Sequence, residues 1–461
     1  MNSHTKKRIL LVVTNSYAAM NVIHSGLIKL LAEEYEVHII SNLIHEKEIV
    51  EICDYFNIRI YKADIPIPVE SSLIKVMRKL EKAIFFQFYQ IETQKIKEES
   101  KGLWYRFFQG NMLIFINFLG ISAWLLKFLR KGIIKLASNY SSLEKLNDYD
   151  FCGVISSSPL DIRESIIVNF MKKKIIPSIA MIISWDNLTS KGIINADHDY
   201  VLVWNELMAD EYKRFYSVFD TPNQQIHITG IPRFDIYFKK TPDEYSPLEF
   251  RKRYQIDALD KIILFATSAI IHFPNQADIV EHLLEYAFQK QKVKVILRCH
   301  AGDDFDLYKK FIHNSQLIIW QPDHIKTIGN TLQQMPDLQI LNSLATMMKI
   351  CDVCLNVAST IRLEAAVCKK PNISIAYDGN LNPEFRNSVK RFYAYSHQLP
   401  LNKLGIDKMV YSKTELFNSL DEMLFNPFCA DKYVDKIQPF IYHSGPFAVP
   451  ATIKSIRQCL N

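Results

Sequence analysis

The sequence predicts an α/β protein built from two doubly wound, Rossmann-like halves facing one cleft, with a helical hydrophobic insertion in the first half. Three observations carry that expectation. Short apolar runs alternate with helical patterns from residue 9 to about 230, and the same alternation restarts near residue 260. A polar stretch with two prolines, residues 239–258, separates the two series. Several strands of the second series end in hydroxyls, Arg or His, which is where open α/β sheets bind ligands.

The first strand is Ile9–Val13, a continuous apolar run as expected of a parallel strand covered on both faces. A helical pattern through Ile23, Leu27, Leu30 and Leu31 leads to a second strand, Glu36–Ile40, completing a βαβ unit. Further strands are expected at Phe151–Ser156, Ile176–Ile183, Tyr200–Val203 and Ile226–Thr229, and Gly230-Ile231-Pro232 closes this half. Residues 1–240 thus form an N-terminal domain and 241–258 a linker. Residues 259–446 form a second domain with strands Ile262–Ala266, Val293–Leu297, Val353–Val357 and Asn372–Ala376. Helices are expected near 277–290, from Asp304 and from Ile361. A final helix, Ala448–Leu460 within 447–461, is expected to pack back on the first domain.

Residues 70–147 break the alternation and form the insertion. Met112–Leu126 is apolar except for Asn117 and Ser122, with Arg106 before it and Lys127, Arg130 and Lys131 after it. The run falls short of the roughly 20 residues that span a bilayer. Two readings stand. One is an interfacial helix over about 103–131, held at an anionic membrane surface by its basic flanks. The other is a buried helix covering the first sheet. The apolar run Ile9–Val13 is too short for a signal-peptide core, so the expected location is cytoplasmic, or peripheral on the inner face of the membrane under the first reading.

Composition excludes several classes. With 461 residues, 48% hydrophobic and 23% charged, the chain describes a folded globular protein. A net charge of +6 without a basic stripe lacks the signature of a nucleic-acid partner. The eight cysteines show no repeated spacing. Cys351 and Cys354 sit three apart on a strand and face opposite sides, which suits buried thiols better than a shared metal. Walker, GxGxxG, HExxH and GxSxG patterns are missing, arguing against a P-loop ATPase, a nicotinamide dehydrogenase, a zinc protease and an α/β-hydrolase. Neither Asp197-His198-Asp199 nor Asp304-Phe305-Asp306 lies at a strand's carboxyl end, so no metal site is assigned and no cofactor is expected.

The most informative stretch runs from Cys351 to Pro371. Its strand breaks at Ala358-Ser359-Thr360 and a helix follows, carrying Glu364 one turn in. Hydroxyls there can cap the helix or line an anion site, and the acid can face a ligand's sugar hydroxyls. Arg298 and His300 end a neighbouring strand, where a guanidinium fork and an imidazole suit phosphate; the bland alternative is a surface Arg and a capping His. Thr267 and Ser268 end another strand and read either as a turn or as part of the same phosphate site. In the first half, Ser184-Trp185-Asp186-Asn187 and Lys191 follow a strand. Asp186 can act as a general base and Lys191 can meet a phosphate, while an Asx-type turn around a packed Trp185 is the competing account. In the loop after the first strand, Asn15 faces the expected cleft, and His24 is either a base or a packed helix residue.

These residues together resemble the GT-B glycosyltransferase superfamily, and within it the bacterial surface-polysaccharide transferases related to CDP-glycerol glycerophosphotransferases. The resemblance rests on Arg298-Cys299-His300, on Ser359-Thr360-Ile361 with Glu364, and on Ser184–Asn187 followed by Thr229-Gly230-Ile231-Pro232. It implies that the second domain holds a nucleotide-sugar donor, with Arg298, His300, Ser359 and Thr360 at its phosphates and Glu364 at its ribose. The first domain would hold a glycan or lipid-linked acceptor. The chain departs from the family's Arg-x-His-Pro at Ala301, and Asn21 falls nearer than His24 to the family's catalytic His. The function implied is metal-independent sugar transfer to a surface polysaccharide or lipid-linked glycan. The alternatives are polyol-phosphate transfer from a CDP-alditol, UDP-sugar 2-epimerisation, and non-catalytic nucleotide or carbohydrate binding.

Overall fold

A computed structural model describes residues 6–99, 116, 119–219, 221, 224–320, 334–426 and 430–460. The chain divides into two compact units, Met1–Arg233 with Phe447–Asn461, and Phe234–Pro446.

The first unit carries a seven-stranded sheet of β1 (Arg8–Val13), β2 (Glu36–Ser41), β3 (Tyr61–Lys62), β4 (Phe151–Ser156), β5 (Ser178–Met181), β6 (Tyr200–Val203) and β7 (Gln225–Ile228). Its order is β3-β2-β1-β4-β5-β6-β7, with every pairing parallel. Strand order reverses between β1 and β4, so the carboxyl ends of those two strands flank the crevice where such sheets take ligands. Ile9–Val13 are fully buried, which is why β1 reads as an unbroken apolar run rather than an alternating one.

The second unit repeats the plan with β8 (Lys261–Ala266), β9 (Val293–Arg298), β10 (Leu317–Trp320), β11 (Val353–Asn356), β12 (Asn372–Ile375) and β13 (Lys408–Val410). The order is β10-β9-β8-β11-β12-β13, again all parallel, with the reversal between β8 and β11. Both units therefore have the doubly wound fold that the alternation implies. Three short strands, β3, β10 and β13, lie at sheet edges or outermost positions and have no expected counterpart in the sequence reading.

The boundaries differ from that reading. Residues 241–258 are not a free linker but part of the second unit: Ser246 caps the helix Pro247–Arg253, and its Phe250 is buried. The polar composition reflects one exposed helix face. The last helix, Ala448–Leu460, lies in the first unit, where Leu460 covers Gly153 of β4 so closely that a Cβ there would run into it. Arg457 Nε donates to Glu34 Oε2 at 2.9 Å on the same surface.

The insertion contains helices Ser72–Phe88, Glu92–Glu99 and Ser122–Ala137. Much of the 103–131 segment, namely 103–115, 117 and 118, lies outside the described residues. The described helix Ser122–Ala137 buries Leu126, Leu129, Ile133 and Ala137; Ile133 and Ala137 share a core with Val154 and Ile166. Its other side exposes Trp124 and Phe128, whose rings stack 5.5 Å apart. No described helix is long and apolar enough to cross a membrane.

Candidate functional site

At the carboxyl edge of the second sheet, Arg298 ends β9 and Glu364 projects from the helix Ile361–Val367 that follows β11. Arg298 Nη1 lies 3.5 Å from Glu364 Oε2, and Tyr237 Oη donates to the same oxygen at 2.6 Å. Glu364 is 2% exposed, so its negative charge is kept in a dry environment by these partners. The pair fixes where the guanidinium fork can point.

The loop beyond Arg298 is ordered by a buried carboxylate. Asp303 accepts from Tyr308 Oη at 2.8 Å and from the Asp304 backbone N–H at 2.8 Å, and also from Thr267 Oγ1 and Gln276 Nε2. Thr267 Oγ1 in turn accepts the His300 backbone N–H at 2.9 Å. Thr267 is thus a buried clasp between two loops rather than a surface hydroxyl. Gln276 binds both backbone groups of Ser268 and fixes that turn. His300 Nδ1 accepts the Gly302 N–H at 2.9 Å, which assigns the proton of the neutral ring to Nε2 and makes that atom a donor. Burial pushes the Asp303 carboxyl up to about 6 against the opposing effect of its hydrogen bonds.

Ser359 and Thr360 follow β11, two strands from Arg298 with β8 between. Ala358 takes a left-handed φ of 43°, its N–H donating to Tyr393 Oη and its carbonyl accepting from Gln398 Nε2. Ser359 donates its N–H to Asn356 Oδ1 and accepts from Ile361 N, so its hydroxyl starts the helix. Thr360 makes no side-chain cap. Beneath them Arg362, fully buried, binds Gln398, Asn402 and Asp407. The bent loop is held by this network and is preorganised before any ligand arrives.

In the first unit a second buried acid clasps the strand ends at the reversal point. Glu164 Oε1 accepts Thr14 N at 3.1 Å and Thr14 Oγ1 at 2.7 Å, while Oε2 accepts Ser156 Oγ at 2.7 Å and Ser158 N at 2.8 Å. Burial raises its pKa to about 7. Asn15 caps the short helix Ser16–Ala19 and donates to Ser158 Oγ at 2.7 Å. His24 is buried on the π-helical turn Met20–His24 with Nδ1 3.0 Å from the Ala19 carbonyl, which is the packed arrangement.

Asp186 receives the Ser184 hydroxyl at 2.6 Å, the Ser190 hydroxyl at 2.9 Å and the Lys191 ammonium at 3.3 Å. Asn187 Oδ1 accepts Ser184 N at 3.1 Å and Trp185 is buried, so this segment has the geometry of an Asx-type turn. Among the described residues no group of three His, Cys, Asp or Glu has metal-binding geometry.

Within the second unit, therefore, the structure brings Arg298 to Glu364 and His300 to Thr267. Asp303, Gln276, Tyr237, Arg362 and Glu164 were not read as site residues. Asp303 stood in plain view beside His300, but two of its partners, Thr267 and Gln276, lie 36 and 27 positions away and leave no local pattern. Glu164 looks like an ordinary acid in a helix's first turn.

Residues 189–379 match the family model described as CDP-Glycerol:Poly(glycerophosphate) glycerophosphotransferase. That segment includes Arg298–His300 and Ser359–Glu364 and begins just after Ser184–Asn187. No curated protein matches. Among solved structures, an S. aureus MnaA–UDP co-structure aligns with a TM-score of 0.54 at 11% identity, over 99% of this chain and 97% of that one. The Neisseria meningitidis UDP-GlcNAc 2-epimerase bound to UDP-GlcNAc gives 0.52 at 12%, over 98% and 100%. The glycotransferase of kitacinnamycin gives 0.51 at 10%, over 99% and 100%. At such identities the solved structures speak for the fold alone. The chain shares the fold of these structures, and its residues 189–379 are similar to the glycerophosphotransferase family.

Proposed function

We propose that this transferase moves a sugar from a nucleotide-activated donor onto a surface polysaccharide or lipid-linked glycan, working peripherally on the inner face of the membrane. The observation that carries the donor site is the Arg298–Glu364 pair beside His300, at the carboxyl edge of a doubly wound sheet. Arg298 and the Nε2–H of His300 take the donor phosphates, with Ser359 and Thr360 nearby. Glu364 takes the ribose hydroxyls as the Tyr237 hydroxyl gives way. In the transfer, an acceptor hydroxyl attacks the anomeric carbon and the bond to the diphosphate breaks. The nucleoside diphosphate leaves with the bonding pair, its charge met by the Arg and His donors in the role a cation plays elsewhere. The acceptor's proton passes to a general base. Asp186, already held by two hydroxyls and an ammonium, serves chiefly to shape its loop with Trp185, Asn187 and Lys191.

A second reading is favoured by the family match: the group moved is glycerol phosphate from a CDP-alditol, with the cytidine monophosphate portion leaving. A panel of UDP-sugars, CDP-glycerol and CDP-ribitol, assayed for binding and turnover, separates the two. Binding of none of them sinks both.

A further inference from the structure

The helix Ser122–Ala137 borders a cavity of about 370 Å³ on the first unit, lined with Lys127, Arg130, Lys131 and Lys172. Asp197–Asp199 precede β6, so this cavity sits at the amino end of that strand, away from the carboxyl-edge loops. Arg130 pairs with Asp197 and Lys172 with Asp199, each at close range, which leaves the cavity with two more cations than carboxylates. Lys131 lines this space and has no ion pair among the described residues.

Two further walls carry buried polar atoms without a hydrogen-bond partner among the described residues. His198 is 1% exposed, and among the described residues neither ring nitrogen has a hydrogen-bond partner; the Ala196 backbone lies beside the ring out of bonding geometry. Gln224 Nε2 is likewise buried and unpaired, although its Oε1 accepts from Tyr212. Buried donors are rarely left so without a ligand or water to meet them. A basic cavity with unmet donors is built for an anion with several acceptor oxygens.

The source of that anion is indicated by the same helix. At about 100° per residue, Lys127, Lys131 and Ile134 form the stripe facing the cavity, and the adjoining stripe carries Trp124 and Phe128. Those two rings are exposed and stacked on each other. An aromatic pair next to a cationic pocket matches the interface of a bilayer, rings at headgroup level and phosphate below. A soluble phosphate ester would not need the rings.

We infer that this cavity binds the phosphate headgroup of an anionic phospholipid, with Trp124 and Phe128 entering the interface beside it. The inference rests on the peripheral placement proposed above, and transfer to a soluble acceptor is assayed separately so that the two are read apart. The test is co-sedimentation of the whole chain with phosphatidylcholine vesicles, with and without phosphatidylglycerol. Wild type should sediment only with the anionic vesicles, and less as salt rises. Lys131→Glu should weaken that binding by about tenfold or more. Trp124→Ala, which changes no charge, should weaken it as well. Lys309→Glu, the same reversal on an exposed residue of the other unit, should change it by less than about twofold. Equal binding by Lys131→Glu and wild type overturns the inference, as does equal loss in Lys309→Glu. So does a thermal shift with inorganic phosphate in the absence of any vesicle binding, which would mark a site for a soluble anion.

Discussion

Arg298 ends β9 and Glu364 lies on the helix that follows β11, two places away in the sheet order, yet Arg298 and Tyr237 meet at one carboxylate oxygen of Glu364. Removing the guanidinium leaves Glu364 buried, whereas Arg298 keeps partial access to water. Glu364→Ala should lower stability by about 1–3 kcal/mol, because the Tyr237 hydroxyl and Arg298 lose their buried acceptor. Glu364→Gln should fold and keep the Tyr237 bond while raising the donor KM. Denaturant melts paired with donor titrations separate the two effects, and an unchanged KM in the Gln variant would remove Glu364 from donor recognition.

His300 is half-exposed and spends Nδ1 on Gly302, so its replacement costs little stability. His300→Ala should keep its melting temperature within a few degrees and lose about a hundredfold in kcat, on the order expected for a lost acid or leaving-group donor. A loss confined to KM would instead make it a binding group.

Asp186→Asn separates a base from a loop holder. Loss of a general base costs about 10²–10⁴-fold. With both oxygens engaged by Ser184, Ser190 and Lys191, the expected loss is below about tenfold, measured as kcat on saturating acceptor.

Glu164 and Asp303 give stability a definite pH dependence. Both carboxyls have folded-state pKa values raised by burial, to about 7 from 4.5 and to about 6 from 3.8. The folded state therefore holds protons that the unfolded chain has released. Their contribution is fully present below the unfolded values and is lost as pH rises through about 6 and 7. Stability should rise on acidification from pH 7.5 to 5.5, by roughly 1.4 kcal/mol per pH unit for each group inside its window. Glu164→Gln should flatten the part due to the first unit. It should also cost about 1–3 kcal/mol, since all four partners of Glu164 are donors and two are backbone N–H groups that cannot turn away from an amide.

Arg362→Met tests the scaffold under Ser359. Asp407 would stay buried without its cation, so a loss of about 3–5 kcal/mol is expected, visible as a lower urea midpoint of the second unit.

The central strands were legible because burial on both faces leaves an unmistakable apolar run, as in Ile9–Val13 and Val353–Leu355. The edge strands Tyr61–Lys62 and Lys408–Val410 were not: too short and too exposed to write a period. Strand-end residues such as Arg298 and His300 stood out because position after a run is itself a signal. Their supports did not. Glu164 reaches Thr14 across 150 positions, and Arg362 reaches Asp407 across 45, distances over which one sequence carries no pattern. The polar, proline-bearing 241–258 looked like a linker because a half-exposed helix and a loop share that composition.

The return of Ala448–Leu460 to the first unit has a consequence for biosynthesis. The surface of β4 around Gly153 waits for Leu460, and Glu34 waits for Arg457. On the ribosome, residues 234–446 must all be made before that helix exists, a delay on the order of ten seconds or more at typical elongation rates. The second unit is one uninterrupted stretch of chain and can finish folding as it emerges. The first begins earlier and is completed last.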